Sequence, residues 1–396
     1  MCDDNMIVPA IVVVGYNRPD CIERLLNSVC SASYPDNLNI TLIVSIDESD
    51  RSDEVEQVAR NFNWSHGDYE IRRFEKRQGL KPHILQCGDL SEKYGAVIIL
   101  EDDLLVAESF YKYVLCAVNY YKTNDSIAGI ALYSHAWNGY VNFKFDPEKS
   151  PYDVYWGQYS ITWGQCWTKN QWLQFREWYA DIMKNGLEDD ERLPKNIYLW
   201  GDKSWGKYFV NYIVDTNRYY VIPYDSMSTN FSEVGEHNDK IDTSHQVALL
   251  NGIKDTFSFP NENQAIKYDI FFERKFDHDK IAGIAGSNIC MNLNGNKRNT
   301  FDKKYMITTG KLNYKVVSTF GLSLRPIDAN VSRNISGNDI YMYELPNSNI
   351  SLKGECFSQE RLDYEVMGLQ WRQILSIGRN LRLSSLKRKI CRLLKK

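Results

Sequence analysis

The sequence lacks the glycine-rich phosphate-binding patterns that mark the commonest nucleotide-binding folds. No G-x-x-x-x-G-K-[ST] segment occurs, and no G-x-G-x-x-G follows the first predicted strand. Those patterns let backbone N–H groups approach a phosphate closely. Their absence argues against P-loop and dinucleotide-binding proteins, so any nucleotide site in this chain is built without a glycine-rich loop.

Three further absences narrow the protein class. The nine cysteines include no C-x-x-C pair, which favours reduced thiols in a cytosolic protein. No apolar run reaches the roughly 18 residues of a membrane span, and a first strand that begins almost at Met1 leaves no room for a signal peptide. A net charge of −4 does not indicate a nucleic-acid binder.

What the chain does contain is an apolar strand that ends in three acids. Ala96 to Leu100 is continuously apolar, as in a strand buried on both faces, and Glu101-Asp102-Asp103 follows directly. Ligands of open α/β sheets bind beyond the carboxyl ends of the strands. Two carboxylates about 4 Å apart repel by about 4 kcal/mol at an effective dielectric constant of about 20. The pattern therefore predicts a cation, Mg²⁺ or Mn²⁺, that bridges to a phosphate.

Strand and helix patterns alternate over roughly the first 130 residues, which predicts an α/β fold with a parallel, doubly wound sheet. The first predicted strand is Pro9 to Val14, and a helix follows over about Asp20 to Ser31. We expect a catalytic domain over residues 1–250, a small β-rich accessory region over 260–370, and a basic amphipathic tail over 371–396. The tail from Trp371 onward holds nine Lys and Arg and no acid.

The predicted strand ends collect residues suited to one nucleotide-diphosphate ligand. Asn17 and Arg18 come first and offer a cation for phosphate. Asp47 follows and offers a carboxylate for the base or ribose. Asp102 and Asp103 come last and offer a metal-binding acid. Further along are Trp163-Gly164-Gln165-Cys166-Trp167 ending at Trp172, Trp200-Gly201-Asp202, and Ser228-Thr229-Asn230-Phe231 with Gly235-Glu236-His237.

This ordered set resembles nucleotide-sugar glycosyltransferases of the GT-A fold. It is similar to the bacterial family-2-type enzymes and the N-acetylglucosaminyltransferase I group, over roughly residues 9–240. The resemblance implies a Rossmann-like, mostly parallel mixed sheet flanked by helices. Each segment alone is a weak signal, whereas six in the family's order are fairly specific.

The resemblance also implies roles. Asn17 and Arg18 would contact the donor, with Arg18 on the diphosphate, and Asp47 would hold the base, commonly uracil. Glu101 and Asp102 would face the sugar and the ribose, and Asp103 would bind the divalent metal through the diphosphate. Trp163 and Gly164 would shape the sugar and acceptor pocket, with His237 near the diphosphate or metal.

Asp202 would be the general base that deprotonates the acceptor hydroxyl. In the family an acid usually follows the Trp directly, whereas Gly201 intervenes here. Asp189 and Asp190 therefore stay open as alternatives. An inverting transfer needs a carboxylate within hydrogen-bond reach of the acceptor hydroxyl, and positive charge on the departing nucleoside diphosphate.

Each of these residues also has a purely structural interpretation. The acids after Leu100 could favour the start of the helix predicted near Ser109, and Asp202 could cap the helix that follows it. Asp47 and Arg18 could be ordinary turn residues. Trp163 and Trp167 could pack on one helical face, and a core position is favoured for Trp167. His237 could be a surface histidine.

The favoured prediction is glycosyl transfer to a glycan or lipid-linked acceptor in bacterial surface polysaccharide synthesis. Two other functions are alternatives. A nucleotidyltransferase that makes nucleotide sugars would need a glycine-rich, arginine-containing loop, and Gly15 to Pro19 holds only one glycine. A non-catalytic carbohydrate-binding protein would keep the sheet and lose the base. The tail over 385–396 favours contact with an anionic membrane, which predicts a cytoplasmic enzyme peripheral to the inner face of the plasma membrane. A helix docked on the protein or a frayed terminus is the alternative for this tail.

Overall fold

The structure is a computed structural model that describes residues 6–159, 161–231, 233, 243, 245–352, 357–366, 369–370, 372–376 and 378–379. In the first part of the chain the strands are β1 (Ala10–Gly15), β2 (Leu42–Ile46), β3 (Tyr69–Arg73), β4 (Ala96–Glu101), β5 (Leu104–Val106), β6 (Ile127–Ala131), β7 (Trp137–Asn138), β8 (Phe143–Lys144), β9 (Val154–Gly157), β10 (Gln165–Thr168), β11 (Tyr219–Pro223) and β12 (Ser228–Asn230).

The helices of this part are α1 (Pro19–Cys30), α2 (Ser52–Asn61), α3 (Leu80–Asp89), α4 (Ser91–Tyr94), α5 (Phe110–Tyr121), α6 (Lys169–Asn185) and α7 (Trp205–Asp215), with a 3₁₀ helix over Lys195–Leu199. Later elements are β13 (Lys267–Tyr268), β14 (Arg274–Lys275), β15 (Lys280–Ile281), β16 (Ile284–Ala285), β17 (Ile289–Met291), β18 (Tyr305–Thr308), β19 (Lys315–Phe320), β20 (Ile340–Glu344), α8 (Ala329–Ser332) and α9 (Gln359–Glu365), with a 3₁₀ turn at Gly286–Asn288.

A ten-stranded mixed sheet is the centre of the molecule, in the order β14-β13-β9-β11-β6-β10-β4-β1-β2-β3. Strands β4, β1, β2 and β3 are parallel neighbours. The short strand β10 lies antiparallel between β4 and β6. The predicted α/β fold with a large, mostly parallel sheet is confirmed.

Both faces of the sheet are covered, as the apolar strands predict. Ile98 and Leu100 of β4 belong to one buried cluster, which includes residues of α1 and α5. Val97 and Ile99 point the opposite way, into a second cluster with residues of α3, α6 and α7. Burial on both faces explains why β4 is continuously apolar rather than alternating.

The segment around Trp167 is a strand, so the alternative of one helical face does not apply. Trp167 lies on β10, fully buried, with its ring centroid 4.5 Å from that of Trp172. Helix α6 begins only at Lys169, where Thr168 accepts from the backbone N–H of Gln171 in a capping box. The expectation that Trp167 is a core residue is confirmed by its burial.

The later part of the chain forms a four-stranded sheet, β17-β18-β20-β19, with its own apolar cluster. Strands β13 and β14, inside the range predicted as accessory, extend the central sheet instead. The exact division at residues 250 and 260 stays a prediction. Among the described residues, no helix is both long enough and apolar enough to span a membrane. The tail over 385–396 lies outside the described residues.

Candidate active site

The predicted ligand residues meet at one edge of the central sheet. The register pairs Gly15 with Ile46, and Val14 with Glu101, so β1, β2 and β4 end at the same level. The turn that contains Asn17 and Arg18, the carboxylate of Asp47, and the three acids after Leu100 therefore converge. Parallel strands place their carboxyl ends together in this way, which is why the sequence could predict the site.

Arg18 lies between the acids of this edge. Its guanidinium makes a two-point contact with Asp102, in which Nε donates to Oδ2 at 3.2 Å and Nη2 contacts Oδ1. Nη2 is also 4.0 Å from Asp103 Oδ2. Asp102 is 5% exposed, so this ion pair is largely shielded from water. Arg18 is therefore not a free turn residue. Because its guanidinium contacts these acids, a diphosphate could approach it from some sides only.

The three acids carry more negative charge than Arg18 alone offsets. Burial raises the pKa of Asp102 to about 6, against the opposing pull of Arg18. Burial also raises the pKa of Glu101 well above its usual range, and the charges of Asp103 and Asp102 raise it further. The pKa of Asp103 is raised by burial as well. A bound cation would relieve this repulsion and favour the charged forms.

The donor set fits a divalent metal held by few protein ligands. Asp102 is occupied by Arg18, whereas the side chain of Asp103 is 28% exposed and faces outward beside it. Across the described residues, no group of three His, Cys, Asp or Glu side chains forms a complete metal cage. Oxygen ligands with open positions suit Mg²⁺ or Mn²⁺, which usually share their coordination with substrate phosphates.

Asp47 is buried and holds the loop that leads into α3. Its Oδ1 accepts from the backbone N–H of Gln78 at 2.7 Å, and its Oδ2 accepts from that of Gly79 at 2.9 Å. At Gly79 φ is +80°, a conformation that glycine adopts readily. Asp47 thus shapes the wall of the cleft.

Residues that the sequence interpretation missed complete this cleft, whose volume is about 110 Å³. His83 of α3 is 2% exposed, and its Nε2 is 2.8 Å from Ser45 Oγ. Burial lowers the pKa of His83 to about 4, so its ring is neutral at pH 7. The guanidinium of Arg77 lies 5.0 Å from the ring centre of Tyr16. The cleft is lined by residues that include Tyr16, Asn17, Arg18, Asp47, Arg77, His83, Glu101 and Asp102.

A two-stranded ribbon joins the acids to the Ser228–Asn230 segment. Directly after Asp103, β5 pairs antiparallel with β12, and the backbone N–H of Phe231 donates to the Asp103 carbonyl at 2.8 Å. Arg24 of α1 stacks on Phe231 and pairs with Glu233 at 2.7 and 2.8 Å. This predicted segment therefore lies beside the acids. Gly235, Glu236 and His237 lie outside the described residues.

Trp163 and Gly164 lie on the other side of the acids. Strand β10 begins at Gln165, which pairs with Ile99 of β4, so Trp163 and Gly164 form the turn that enters this strand near the end of β4. Gly164 has φ +95°, and a Cβ there would lie 3.0 Å from Ser228 Oγ. The ring of Trp163 stacks on His245 with centroids 4.8 Å apart.

An aromatic cavity of about 690 Å³ opens at Trp163. It is lined by His135, Trp137, Gly139, Tyr140, Tyr159, Thr162, Trp163, Asn196, Trp200, Gly201, Ser204, Gly206, His245 and Phe272. The lining contains no Asp, Glu, Lys or Arg, and burial lowers the pKa of His135 to about 3. Aromatic faces with a few uncharged polar groups suit the apolar face of a sugar ring.

Asp202 lies at the rim of this cavity, not inside it. Its neighbours Trp200, Gly201 and Ser204 line the cavity, whereas its own side chain is 86% exposed and pairs with Lys207 at 3.2 Å. The helix α7 is capped by Ser204, which accepts from Lys207 N–H, so Asp202 is not its N-cap.

The alternative bases Asp189 and Asp190 already have partners. Asp189 accepts from Arg298 at 2.6 and 2.8 Å, and this contact lowers its pKa. Asp190 pairs with Arg192 at 2.7 Å. Both lie in the α6–α7 loop, residues 186–204, at the opposite end from the cavity residues Trp200 and Gly201.

Part of this chain is similar to known proteins. Residues 10–175 match the sequence profile described as Glycosyl transferase family 2. The match covers less than half of the chain, and residues 10–175 are here called the glycosyltransferase domain. The matched range begins at β1 and runs into α6, so the glycosyltransferase domain contains Arg18, Asp47, the three acids and Trp163.

One curated relative of this glycosyltransferase domain is similar over part of its length. It is the alpha-1,3-mannosyl-glycoprotein 2-beta-N-acetylglucosaminyltransferase of Arabidopsis thaliana, 26% identical over 198 residues. The match covers 43% of this chain and 43% of the plant protein, so the chain spans less than half the length of that relative.

Two solved structures are loosely similar. Residues 1–349 of S. aureus TarS with UDP-GlcNAc match at TM-score 0.35 and 14% identity, over 58% of this chain and 60% of that one. GalNAc-T7 with UDP, GalNAc and Mn²⁺ matches at TM-score 0.36 and 16% identity, over 56% and 43%. Since both TM-scores are below 0.5, the fold and site conclusions depend on the sheet and the family match instead.

Proposed function

We propose that this protein is an inverting glycosyltransferase that moves a sugar from a nucleotide-diphosphate sugar, UDP-linked, to a hydroxyl of a glycan or lipid-linked acceptor. The observation that carries the proposal is the convergence of Arg18, Asp47, Glu101 and Asp102 in one cleft, with Asp103 beside it at 4.0 Å from Arg18, in a chain whose residues 10–175 match the family 2 glycosyltransferase profile. The proposed setting is bacterial surface polysaccharide synthesis.

The donor would occupy the cleft at the ends of β1, β2 and β4. The base lies against Tyr16, Arg77 and the wall held by Asp47, and the ribose and sugar lie toward Asp102 and Glu101. Asp103 would hold Mn²⁺ or Mg²⁺, and such an ion would supply positive charge to the departing diphosphate. Arg18 adds a second positive charge while it keeps Asp102 in place.

The acceptor would enter the aromatic cavity beside Trp163. Because this cavity has no charged lining side chain outside its histidines, the proposed acceptor end is an uncharged sugar. Its ring would lie on the aromatic faces of the cavity. One of its hydroxyls would point past Trp163 toward the acids at the end of β4.

The general base proposed is Asp202, with one required change. Its exposed carboxylate is paired with Lys207 at the rim, so it must turn inward when an acceptor binds. Catalytic hydrogen bonds are often long or absent without substrate, which makes such a turn compatible with the role. Asp189 and Asp190 are less suited, since their carboxylates are held by arginines.

The test of this function is hydrolysis of a panel of UDP- and GDP-sugars with Mn²⁺, and transfer to p-nitrophenyl glycosides. We expect wild type to turn over at least one donor, and Asp202→Asn to keep donor binding while transfer falls about 100-fold or more. Transfer by Asp202→Asn at the wild-type rate would assign the base elsewhere. No binding of any nucleotide sugar would reject the proposal in favour of a carbohydrate-binding protein.

Membrane contact through residues 385–396 is the remaining part of the proposal. Six of the last ten residues are Lys or Arg, and Ile390, Leu393 and Leu394 fall on one helical face together with Leu386. Deletion of 385–396 should reduce co-sedimentation with anionic liposomes. An unchanged sedimented fraction would remove the membrane from the proposal.

A further inference from the structure

The part of the chain that forms the four-stranded sheet β17-β18-β20-β19, here called the accessory sheet, contacts the loop between α6 and α7. Arg298 follows β17 in the accessory part, and its guanidinium forms a fork on Asp189 at 2.6 and 2.8 Å. Its Nη1 also donates to the Asp190 carbonyl at 3.2 Å. The next residue, Asn299, donates through Nδ2 to Glu191 Oε2 at 3.1 Å. Three consecutive acids of the α6–α7 loop are thus held by two consecutive accessory residues.

Arg298 is itself firmly placed. Its carbonyl accepts from the backbone N–H of Leu352 at 2.9 Å, and Asn299 forms a β-bridge with Ser351. Its side chain is 14% exposed, against 61% for Asp189. The rigid partner is therefore the arginine, and the acidic end of the loop is the partner that is positioned.

Short contacts connect the acidic end of the α6–α7 loop to the aromatic cavity. The backbone N–H of Asp190 donates to the Tyr198 hydroxyl at 2.6 Å. Tyr198 lies in the 3₁₀ helix Lys195–Leu199, and Trp200 follows it with its N–H bonded to the Ile197 carbonyl at 3.2 Å. Trp200 and Gly201 line the cavity, and Asp202 comes next.

We propose that Arg298 is a positioning residue of the acceptor site: it fixes the α6–α7 loop so that Trp200, Gly201 and Asp202 stand correctly at the aromatic cavity. This inference rests on the proposed function, because the cavity is taken as the acceptor site. Through Arg298, the accessory part of the chain affects acceptor binding. It does not affect the donor cleft, because among the described residues no contact of Arg298 reaches Arg18, Asp47 or Asp103.

The contact is suited to positioning more than to holding the fold together. An ion pair whose carboxylate is mostly exposed adds little to global stability. A bidentate guanidinium–carboxylate pair, however, fixes both direction and distance. Loss of the fork should therefore leave the protein folded and let the loop move.

The first experiment follows hydrogen exchange of the full-length protein, because it needs no substrate. For Arg298→Gln we expect faster exchange confined to residues 186–204. Lys315→Gln is the control, since Lys315 forms an accessory ion pair of similar length with Glu344, at 2.8 Å, away from the loop. Unchanged exchange in 186–204, or faster exchange spread over the accessory sheet, would overturn the proposal.

The second experiment separates acceptor from donor. With a UDP-sugar and a p-nitrophenyl glycoside that wild type uses, Arg298→Gln should raise the KM for the glycoside about tenfold, since small displacements at a reacting centre are costly. Its hydrolysis of the UDP-sugar without acceptor should stay within about twofold of wild type. Equal loss of both activities would overturn the positioning role.

Partner variants sharpen the result. Asp189→Asn should reproduce the effect of Arg298→Gln, and the double variant should add nothing further, as for two groups that act through one contact. Arg298→Lys, which keeps the charge but not the fork, should restore only part of the KM. Additive losses would contradict the shared contact. If wild type turns over no nucleotide sugar, the proposed function fails, and the exchange experiment alone decides the loop's dependence on Arg298.

Discussion

At the scale of single residues, Asp47 shows how a site residue can be predicted while its contacts are not. Its place after a buried strand identifies it as a candidate from the sequence alone. Its bonds to the N–H groups of Gln78 and Gly79 depend on a loop about 30 residues later in the chain. Local pattern carries no information about such a partner, so the wall-forming role of Asp47 emerges only from the fold.

His83 was missed for a related reason. A histidine on a helix has no sequence signal for burial against Ser45. Its neighbours Arg77 and Tyr16 were missed because cation–aromatic pairs across separate loops leave no periodic pattern. Asn17, Arg18 and the three acids were found because they lie at or just beyond the carboxyl end of an apolar strand.

The buried, neutral His83 predicts a dependence of stability on pH. Burial lowers its folded pKa to about 4, from an ordinary 6.5 that the unfolded chain keeps. The unfolded state therefore takes up a proton first as the pH falls. The associated stability is fully present above pH 6.5 and is lost between 6.5 and 4, up to about 3 kcal/mol.

The check is urea denaturation of wild type and His83→Gln at pH 7.5 and 4.5. Glutamine can still bond to Ser45 but does not titrate, so the stability difference between the two proteins should shrink at pH 4.5. His135, whose pKa is lowered to about 3 by burial, gives both proteins the same remaining slope. Parallel losses in the two proteins would show that His83 is not held neutral.

At the scale of elements, strands and helices with strong apolar patterns were predictable to within about two residues. The helix expected over Asp20 to Ser31 is α1, Pro19–Cys30. The apolar strand expected over Ala96 to Leu100 is β4, Ala96–Glu101. The conformation of the α6–α7 loop could not be predicted from the sequence, because it depends on Arg298 and other partners distant in the chain.

The turn at Gly164 is the element on which Trp163 depends. With φ at +95°, any side chain is strained there, and a Cβ would approach Ser228 Oγ to 3.0 Å and Leu132 Cβ to 3.2 Å. Gly164→Ala should lower the free energy of unfolding by about 2 kcal/mol or more and shift the β5–β12 ribbon.

Gly186→Ala is the matched control for this prediction, measured in the same urea titration. Its φ is +87°, and nothing lies within 4 Å of the added Cβ, so it reports backbone strain alone, about 1 kcal/mol. Equal losses for the two variants would mean that the contact with Ser228 is unimportant.

At the scale of the whole molecule, the complete strand order of the central sheet could not be predicted from the sequence. The sequence indicates neighbours such as β1 and β2, which follow each other in the chain. It does not indicate that β10 inserts antiparallel between β4 and β6, or that β13 and β14 extend the far edge. These pairings join residues far apart in sequence and are decided by the packing of the complete sheet.

Buried polar contacts join the accessory part to the central sheet. Lys297 pairs with Asp269 at 2.6 Å, with side chains only 10% and 16% exposed. The Tyr268 hydroxyl donates to Asp328 at 2.7 Å, and Glu273 accepts from Asn294 N–H at 2.6 Å. Separation of the two parts would leave these groups unpaired, so we expect them to unfold together.

Two optical signals can test this cooperativity. Between Trp205 and Trp371 the chain contains no tryptophan, so fluorescence reports mainly on the glycosyltransferase domain. Far-UV circular dichroism reports on both parts. The two urea transitions should coincide, as for one cooperative unit. A separate transition seen only by circular dichroism would show that the accessory sheet unfolds by itself.

We propose that Asp103 couples a divalent metal to a nucleoside diphosphate beside Arg18 and Asp102. The most direct measurement is calorimetric titration of UDP into wild type and Asp103→Asn, each with and without Mn²⁺. For wild type, Mn²⁺ should tighten the Kd of UDP by about tenfold or more, equivalent to about 1.4 kcal/mol. For Asp103→Asn, Mn²⁺ should change it little. An equal gain from Mn²⁺ in both proteins, or no binding of UDP to wild type, would contradict the account.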